Sequence, residues 1–260
     1  MPIELITIII LGSLGLAIGF VGGLLGLVLG VLRFPLILTV AGGAGATAAM
    51  VAGTNIGIST LGAITAAIRH FRQNNVHFRI FAVMAATGAA GAFLGSMLTQ
   101  QVPATLLFII IGLIVSYEAY SLITSSKKDK TQQNVASKPN LGVESSIGLG
   151  VGFLGGMVGL VLGSIRMPAM IEVLKMEPKV AIGTNLATSS IVGAAGLTGH
   201  LFNGNVDFLV LGTMGSTAMI GGYIGARYTD RFSANTLKLL IGIVLVFVAV
   251  VMFLKAAALF

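Results

Sequence analysis

Runs of apolar residues long enough to cross a lipid bilayer recur along the whole chain, and nothing else constrains its fold as strongly. Residues 3–32, 78–98, 104–123, 180–199 and 208–226 reach or approach the roughly 20 residues that a helix needs to traverse about 30 Å of hydrocarbon. Charged residues make up only 9% of the chain, against about 25% in a typical soluble domain. A backbone in lipid must satisfy its own polar groups, so the runs predict an all-α integral membrane fold in a lipid bilayer. The N-terminal run lacks the basic stretch of a secretory signal and has a later copy, so it reads as part of the mature fold.

Sliding the sequence against itself reveals that copy. Gly19-Phe20-Val21-Gly22-Gly23 returns as Gly152-Phe153-Leu154-Gly155-Gly156, and Leu29-Gly30-Val31-Leu32-Arg33-Phe34-Pro35 returns as Leu162-Gly163-Ser164-Ile165-Arg166-Met167-Pro168. Gly53-Thr54-Asn55 pairs with Gly183-Thr184-Asn185, His70 with His200, Asn75-Val76 with Asn205-Val206, and Gly91 and Gly95 with Gly221 and Gly225. The chain therefore divides into a first transmembrane repeat over residues 1–124, a polar linker over 125–142 and a second repeat over 143–260. The linker holds Lys127, Lys128, Lys130 and Lys138 among Ser, Gln and Asn, which predicts a solvated connection on the cytoplasmic side. The two small-x-x-x-small spacings allow close helix packing and say little about chemistry.

Each repeat carries a glycine-rich apolar segment, the Arg-x-Pro element, a short apolar piece over 35–40 or 168–174, and three further spans. Six or seven helical residues rise only about 10 Å, so the short piece is at most half a crossing. The glycines before it and the missing proline donor predict a hairpin that enters the membrane, breaks and returns. Such a break is tolerated in lipid only under a cover of protein or in a wet cavity. A re-entrant hairpin plus three crossings is an odd number, which makes the second repeat inverted relative to the first. With both termini outside, 12 of the 15 Lys and Arg residues fall on the inner side, Lys255 alone outside, and Arg33 and Arg166 within the membrane. Four full crossings per repeat, in parallel copies, put 8 inside and 5 outside, a weaker asymmetry. The basic balance of +7 is thus read as a topology signal in a multi-pass cell (cytoplasmic) membrane protein, with no nucleic acid as partner.

Arg33 and Arg166 are symmetry mates in apolar surroundings, and an arginine at the bilayer centre costs at least about 2.5–3.5 kcal/mol on insertion scales. A guanidinium is a planar fork of donors suited to oxyanions, so the pair predicts an anion site between the hairpin tips, with Gly30, Gly163 and Ser164 beside it. Alternatively each arginine bonds carbonyls freed by the break or snorkels to an interface. Thr54, Asn55, Thr184 and Asn185 bring hydroxyls and amides to the same junction, where they bind ligand or satisfy open backbone groups. Ser59, Thr60, Ser189 and Ser190 follow on the same stretches and are read as lining a path. Glu118 is the only carboxylate inside a predicted span, and its counterpart in the other repeat is Val248, so it breaks the symmetry. It either couples transport to protons or reaches water or a loop cation near the inner end of its span. His70 and His200 sit at span ends, where a structural role outweighs pH sensing.

Cysteine is absent, which excludes disulfides and thiol catalysis. Phosphate-binding loops, nucleophile elbows and metal-ligand spacings are absent as well, so the sequence predicts no enzyme activity, no metal and no cofactor.

The glycine-rich segments ending in proline, Val180-Ala181-Ile182-Gly183-Thr184-Asn185, His200, Gly204-Asn205-Val206-Asp207 and Gly221-Gly222-Tyr223-Ile224-Gly225-Ala226 resemble the TauE/SafE family of sulfite and organosulfonate exporters, also described as domain of unknown function 81. The resemblance covers both repeats and is strongest in the second. It implies a small sulfur-containing anion, such as sulfite, thiosulfate or an organosulfonate, as the substrate. One departure stands out: family members often carry consecutive glycines before the proline, whereas here an arginine lies two residues before Pro35 and Pro168.

Three functions remain open on the sequence: a secondary transporter of such an anion with its site at the repeat interface, a passive anion channel using the same arginines, and a noncatalytic membrane anchor subunit. A homodimer is compatible with the sequence, which identifies no protein interface.

Overall fold

The computed structural model describes residues 5–25, 28–40, 47–125, 140–228 and 234–258. The linker expected over 125–142 lies almost entirely outside them. Among the described residues ten α-helices follow one another: α1 (Leu5–Leu25), α2 (Gly30–Val40), α3 (Ala48–Arg72), α4 (Phe78–Leu98), α5 (Ala104–Ser125), α6 (Leu141–Val158), α7 (Gly163–Pro168, continuing as a wider turn over Ala169–Val173), α8 (Pro178–Phe202), α9 (Phe208–Arg227) and α10 (Ala234–Ala257). Among the described residues seven helices are long and apolar enough to cross a membrane, and the chain is an all-α integral membrane protein. Large apolar side chains such as Leu113, Ile243, Phe247 and Leu254 remain exposed on the outside, as lipid-facing positions require.

The order of one long helix, one short helix and three long helices occurs twice, over α1–α5 and over α6–α10. Gly22 and Gly23 stay inside α1, and Gly155 and Gly156 inside α6, so these glycines pack rather than break the helix. The second break comes at Gly159, whose φ of +73° caps α6 and turns the chain. Residues 160–162, ending in Leu162 at φ +44°, then lead to a helix of only 6 residues before the wider turn, in the place that the 11 residues of α2 take in the first repeat. At about 16 Å, α2 is half a crossing.

Helix directions follow from the residues in contact. Gly53 faces His200, Gly57 faces Leu197 and Gly193 faces Thr60, so α3 and α8 run antiparallel. Gly112 faces Phe253 and Gly242 faces Ile123, so α5 and α10 are antiparallel too. By contrast Gly12 meets Thr213, Gly19 meets Ala218 and Gly225 meets Phe20, which makes α1 parallel to α9. Gly148 meets Met84, Gly152 meets Gly88 and Gly95 meets Phe153, which makes α6 parallel to α4. The small-residue faces around Gly91 and Gly221 are the seams of these two pairs. Since α3–α4 and α8–α9 are hairpins with short connections, α1 and α3 point the same way, and α2 carries the chain back between them.

One end of the bundle therefore collects the last turn of α3 with Arg69 and Arg72, the start of α4 with Arg79, the approach to α8 with Lys175, and the end of α9 with Arg227. There Arg79 Nη1 meets Glu144 Oε1 at 2.9 Å and joins the starts of α4 and α6. Lys255 lies in the last turn of α10, at the opposite end. A core of Phe34, Ile37, Ile111, Val115, Leu160, Leu245 and Met252 fills the space between the short helices and the α5–α10 pair.

Candidate functional site

The short helix α2 presents Gly30 and Arg33, one turn apart, to α3. On α3, Asn55 and Ser59 are four residues apart and so share a face. Arg33 Nε donates to Asn55 Oδ1 at 3.4 Å, and its Nη2 donates to Ser59 Oγ at 2.7 Å. The second repeat builds the same cluster: Arg166 Nε donates to Asn185 Oδ1 at 3.2 Å and Nη2 to Ser189 Oγ at 2.6 Å. Glycine one turn before each arginine leaves room for its partners, since a Cβ at Gly30 would stand 2.8 Å from Ser59 Oγ and one at Gly163 would stand 2.9 Å from Asn185 Nδ2 and displace them.

Both guanidinium groups are buried, Arg33 at 3% and Arg166 at 0% exposure, and every partner they have among the described residues is neutral. Hydrogen bonds to a charged group contribute about 1.5–3 kcal/mol each, which offsets much of the burial without cancelling the charge. Arg166 also keeps Nη1 buried with no hydrogen-bond partner. That nitrogen is a donor awaiting an acceptor.

The two clusters differ in how the asparagine spends its amide. Asn185 Nδ2 donates within its own repeat, to the carbonyl of Gly163 at 2.9 Å. Asn55 Nδ2 reaches across to the carbonyl of Gly159, also at 2.9 Å, and Leu160 stands beside Gly30. The first arginine cluster is thus seated against the break of the second repeat.

Other residues expected at the junction go elsewhere. Thr54 Oγ1 accepts from the backbone N–H of Asp207 at 2.9 Å, and Thr184 Oγ1 accepts from that of His77 at 2.9 Å. Asp207 and His77 are the N-caps of α9 and α4, so each threonine pins the hairpin turn of the opposite repeat. Thr60 and Ser190 bond backward to carbonyls of their own helices. Ser164 donates to Glu118 rather than joining the arginine two residues on. Glu118 is 4% exposed and among the described residues meets Ser164 rather than a loop cation, because this part of α5 turns toward α7. His200 is fully buried with Nε2 2.9 Å from the carbonyl of Gly156, in keeping with a structural role.

Ser59 and Ser189 are the arginines' shortest partners, although the sequence suggested only that they line a path. The signal that identifies them is the Asn-x-x-x-Ser spacing present in both copies.

Comparison with known proteins agrees with this architecture. The probable membrane transporter protein YunE of Bacillus subtilis (strain 168) is 23% identical over 93% of this chain and 96% of its own length. YdhB of the same organism, also named a probable membrane transporter protein, is 24% identical over 90% and 94%. A probable membrane transporter protein of Xylella fastidiosa (strain Temecula1 / ATCC 700964) is 28% identical over 94% and 93%. No solved structure matches the chain. The family description "Sulfite exporter TauE/SafE" matches residues 11–252, from the first long helix into the last, and the chain belongs to that family of membrane proteins.

Proposed function

We propose that this protein is a secondary transporter of a small sulfur-containing oxyanion (sulfite, thiosulfate or an organosulfonate), bound where the two repeats meet. One observation carries the reading: two guanidinium groups are buried among neutral partners, and one of them holds a donor with nothing to bond. An oxyanion supplies both the missing acceptor and the missing charge. The family's description supports a sulfur oxyanion over other anions. Gly30, Gly163, Asn55 and Asn185 shape and orient the arginines, while Thr54 and Thr184 hold the repeats in register.

The antiparallel runs of α3 against α8 and α5 against α10 support an inverted-topology repeat, an arrangement that in other carriers places the substrate near the midplane. The basic residues gathered at one end support a cytoplasmic location for that end and for the linker, with both termini outside the cytoplasmic membrane.

The test is uptake of labelled thiosulfate and sulfite into liposomes containing the purified protein. A carrier saturates and exchanges substrate against substrate. Arg166→Gln should abolish uptake and substrate-induced thermal stabilisation alike, and unaltered transport by that variant would sink the reading. Flux that rises linearly with concentration would instead indicate a channel.

A further inference from the structure

We propose that Glu118, held by Ser164, is the proton-carrying site of the transporter, so that each anion engaged by the second-repeat arginine moves together with a proton. The inference rests on the anion-transport reading above and deepens it.

Glu118 lies on α5 and receives the hydroxyl of Ser164, which sits on the same short helix as Arg166, two residues away. At the positions that the repeat matches to Ser164 and Glu118 stand Val31 on α2 and Val248 on α10. Those helices pack on one another, and both valines are buried in the apolar core. The acid and the hydroxyl that meets it are therefore present together between α5 and α7 and replaced together between α10 and α2. Packing alone does not require them, since two buried valines occupy the matching positions.

Among the described side chains none pairs with Glu118 as a cation. α10 carries Lys238 one turn before Gly242, the residue that faces Ala119, and Lys255 some 13 residues or about 20 Å beyond that stretch. α3 brings Arg69, His70 and Arg72 in its last turn, and α6 brings Glu144, which is bonded to Arg79. α7 brings Arg166, bonded to Asn185 and Ser189, and the wider turn that continues it carries Glu172. Tyr117 and Tyr120 on α5 itself point outward. For a buried acid with no described cationic side chain paired to it, a proton taken from water is the counter-charge that needs no further partner.

The step balances without any further reactant. Water on one side supplies a proton, an O–H bond forms on the carboxylate, and Ser164 changes from donor to acceptor; on the other side the proton returns to water and Ser164 donates again. Because Ser164 and Arg166 share one short helix, this switch acts on the segment that holds the guanidinium. A buried intramembrane acid on a substrate pathway is the usual form of a proton relay.

The experiment uses full-length protein in liposomes with a trapped pH dye and thiosulfate as the probe, because thiosulfate is too weak a base to carry protons by itself. The wild type should admit protons as thiosulfate enters, and an acid-outside gradient should drive accumulation. Glu118→Gln should keep thiosulfate-induced thermal stabilisation and thiosulfate–thiosulfate exchange while losing both proton entry and the response to the gradient. Should the glutamine variant fold poorly, Glu118→Val with Ser164→Val copies the two valines at the matching positions of α10 and α2 and should also lose proton entry. Proton entry equal to wild type in a folded variant, or thiosulfate entering the wild type without protons, overturns the proposal. A wild type that neither binds nor moves thiosulfate, sulfite or an organosulfonate overturns the anion reading and this proposal with it.

Discussion

Asn55 donates its side-chain amide to the carbonyl of Gly159, 104 residues further along the chain, while its oxygen accepts from Arg33. One amide thus joins the arginine of the first repeat to the backbone turn of the second. Substituting Asn55 with Ala strands a buried carbonyl and removes one of the arginine's acceptors, each worth about 1–3 kcal/mol. Thermal unfolding in detergent should show Asn55→Ala well below wild type. Asn55→Asp should bind oxyanion more weakly than wild type, because a carboxylate there competes for the guanidinium.

Gly159 itself is held by its backbone geometry. Its φ of +73° is unfavourable for any other residue, and a Cβ there would run into the backbone of Ala52. Gly159→Ala should cost about 2–4 kcal/mol, combining the left-handed penalty with overpacking. Gly150→Ala, on the open side of α6 with nothing nearby, should be neutral or stabilising by up to about 1 kcal/mol. Comparing the two melting temperatures checks the assignment of the break.

Thr54 and Thr184 are tested by removing only the hydroxyl. Thr54→Val and Thr184→Val keep the shape and leave the N–H of Asp207 or His77 without its acceptor. Each should lose about 1–3 kcal/mol of stability. Serine at either position should restore most of it. If valine were tolerated at both, the proposed pinning of the opposite hairpins would be wrong.

Ligand binding can be read as stability. At a free concentration one hundred times its dissociation constant, a bound oxyanion adds about 2.7 kcal/mol to the folded state. The wild type should therefore melt later in a sulfur oxyanion than in chloride. Ser189→Ala, which loses the 2.6 Å partner of Arg166, should show a smaller shift because the guanidinium is no longer held in place.

Orientation is open to single-cysteine labelling, since the chain has no cysteine of its own. Gln73 and Gln101 are exposed at opposite ends of α4. Gln73→Cys should react with a membrane-impermeant maleimide only from the cytoplasmic side, and Gln101→Cys only from the outside. The reverse pattern would contradict the predicted topology.

The membrane fold was legible in the sequence because span length and lack of charge act locally. The repeat was legible because glycines, Arg33, Asn55 and their mates stand out against apolar filler. The sequence brought the asparagine amides to the same junction as the arginines but did not pair them, since an asparagine can equally bond ligand or backbone and only the packing of α2 on α3 and of α7 on α8 decides. The role of Thr54 was hidden: its partner is a backbone N–H 153 residues away, and every residue but proline carries that group. Glu118 misled for a related reason. Its distance along α5 suggested an accessible end, whereas its surroundings are set by which face meets α7, a property of packing between distant segments.

The pairing of α1 with α9 and of α6 with α4 separates what the chain repeats from what it can move. Each repeat has lent its opening helix to the other, and close backbone contacts lock those loans in place. If this protein rocks, its two rigid halves are mosaics of both copies, and the hinge between them does not run along the boundary that the duplicated sequence draws.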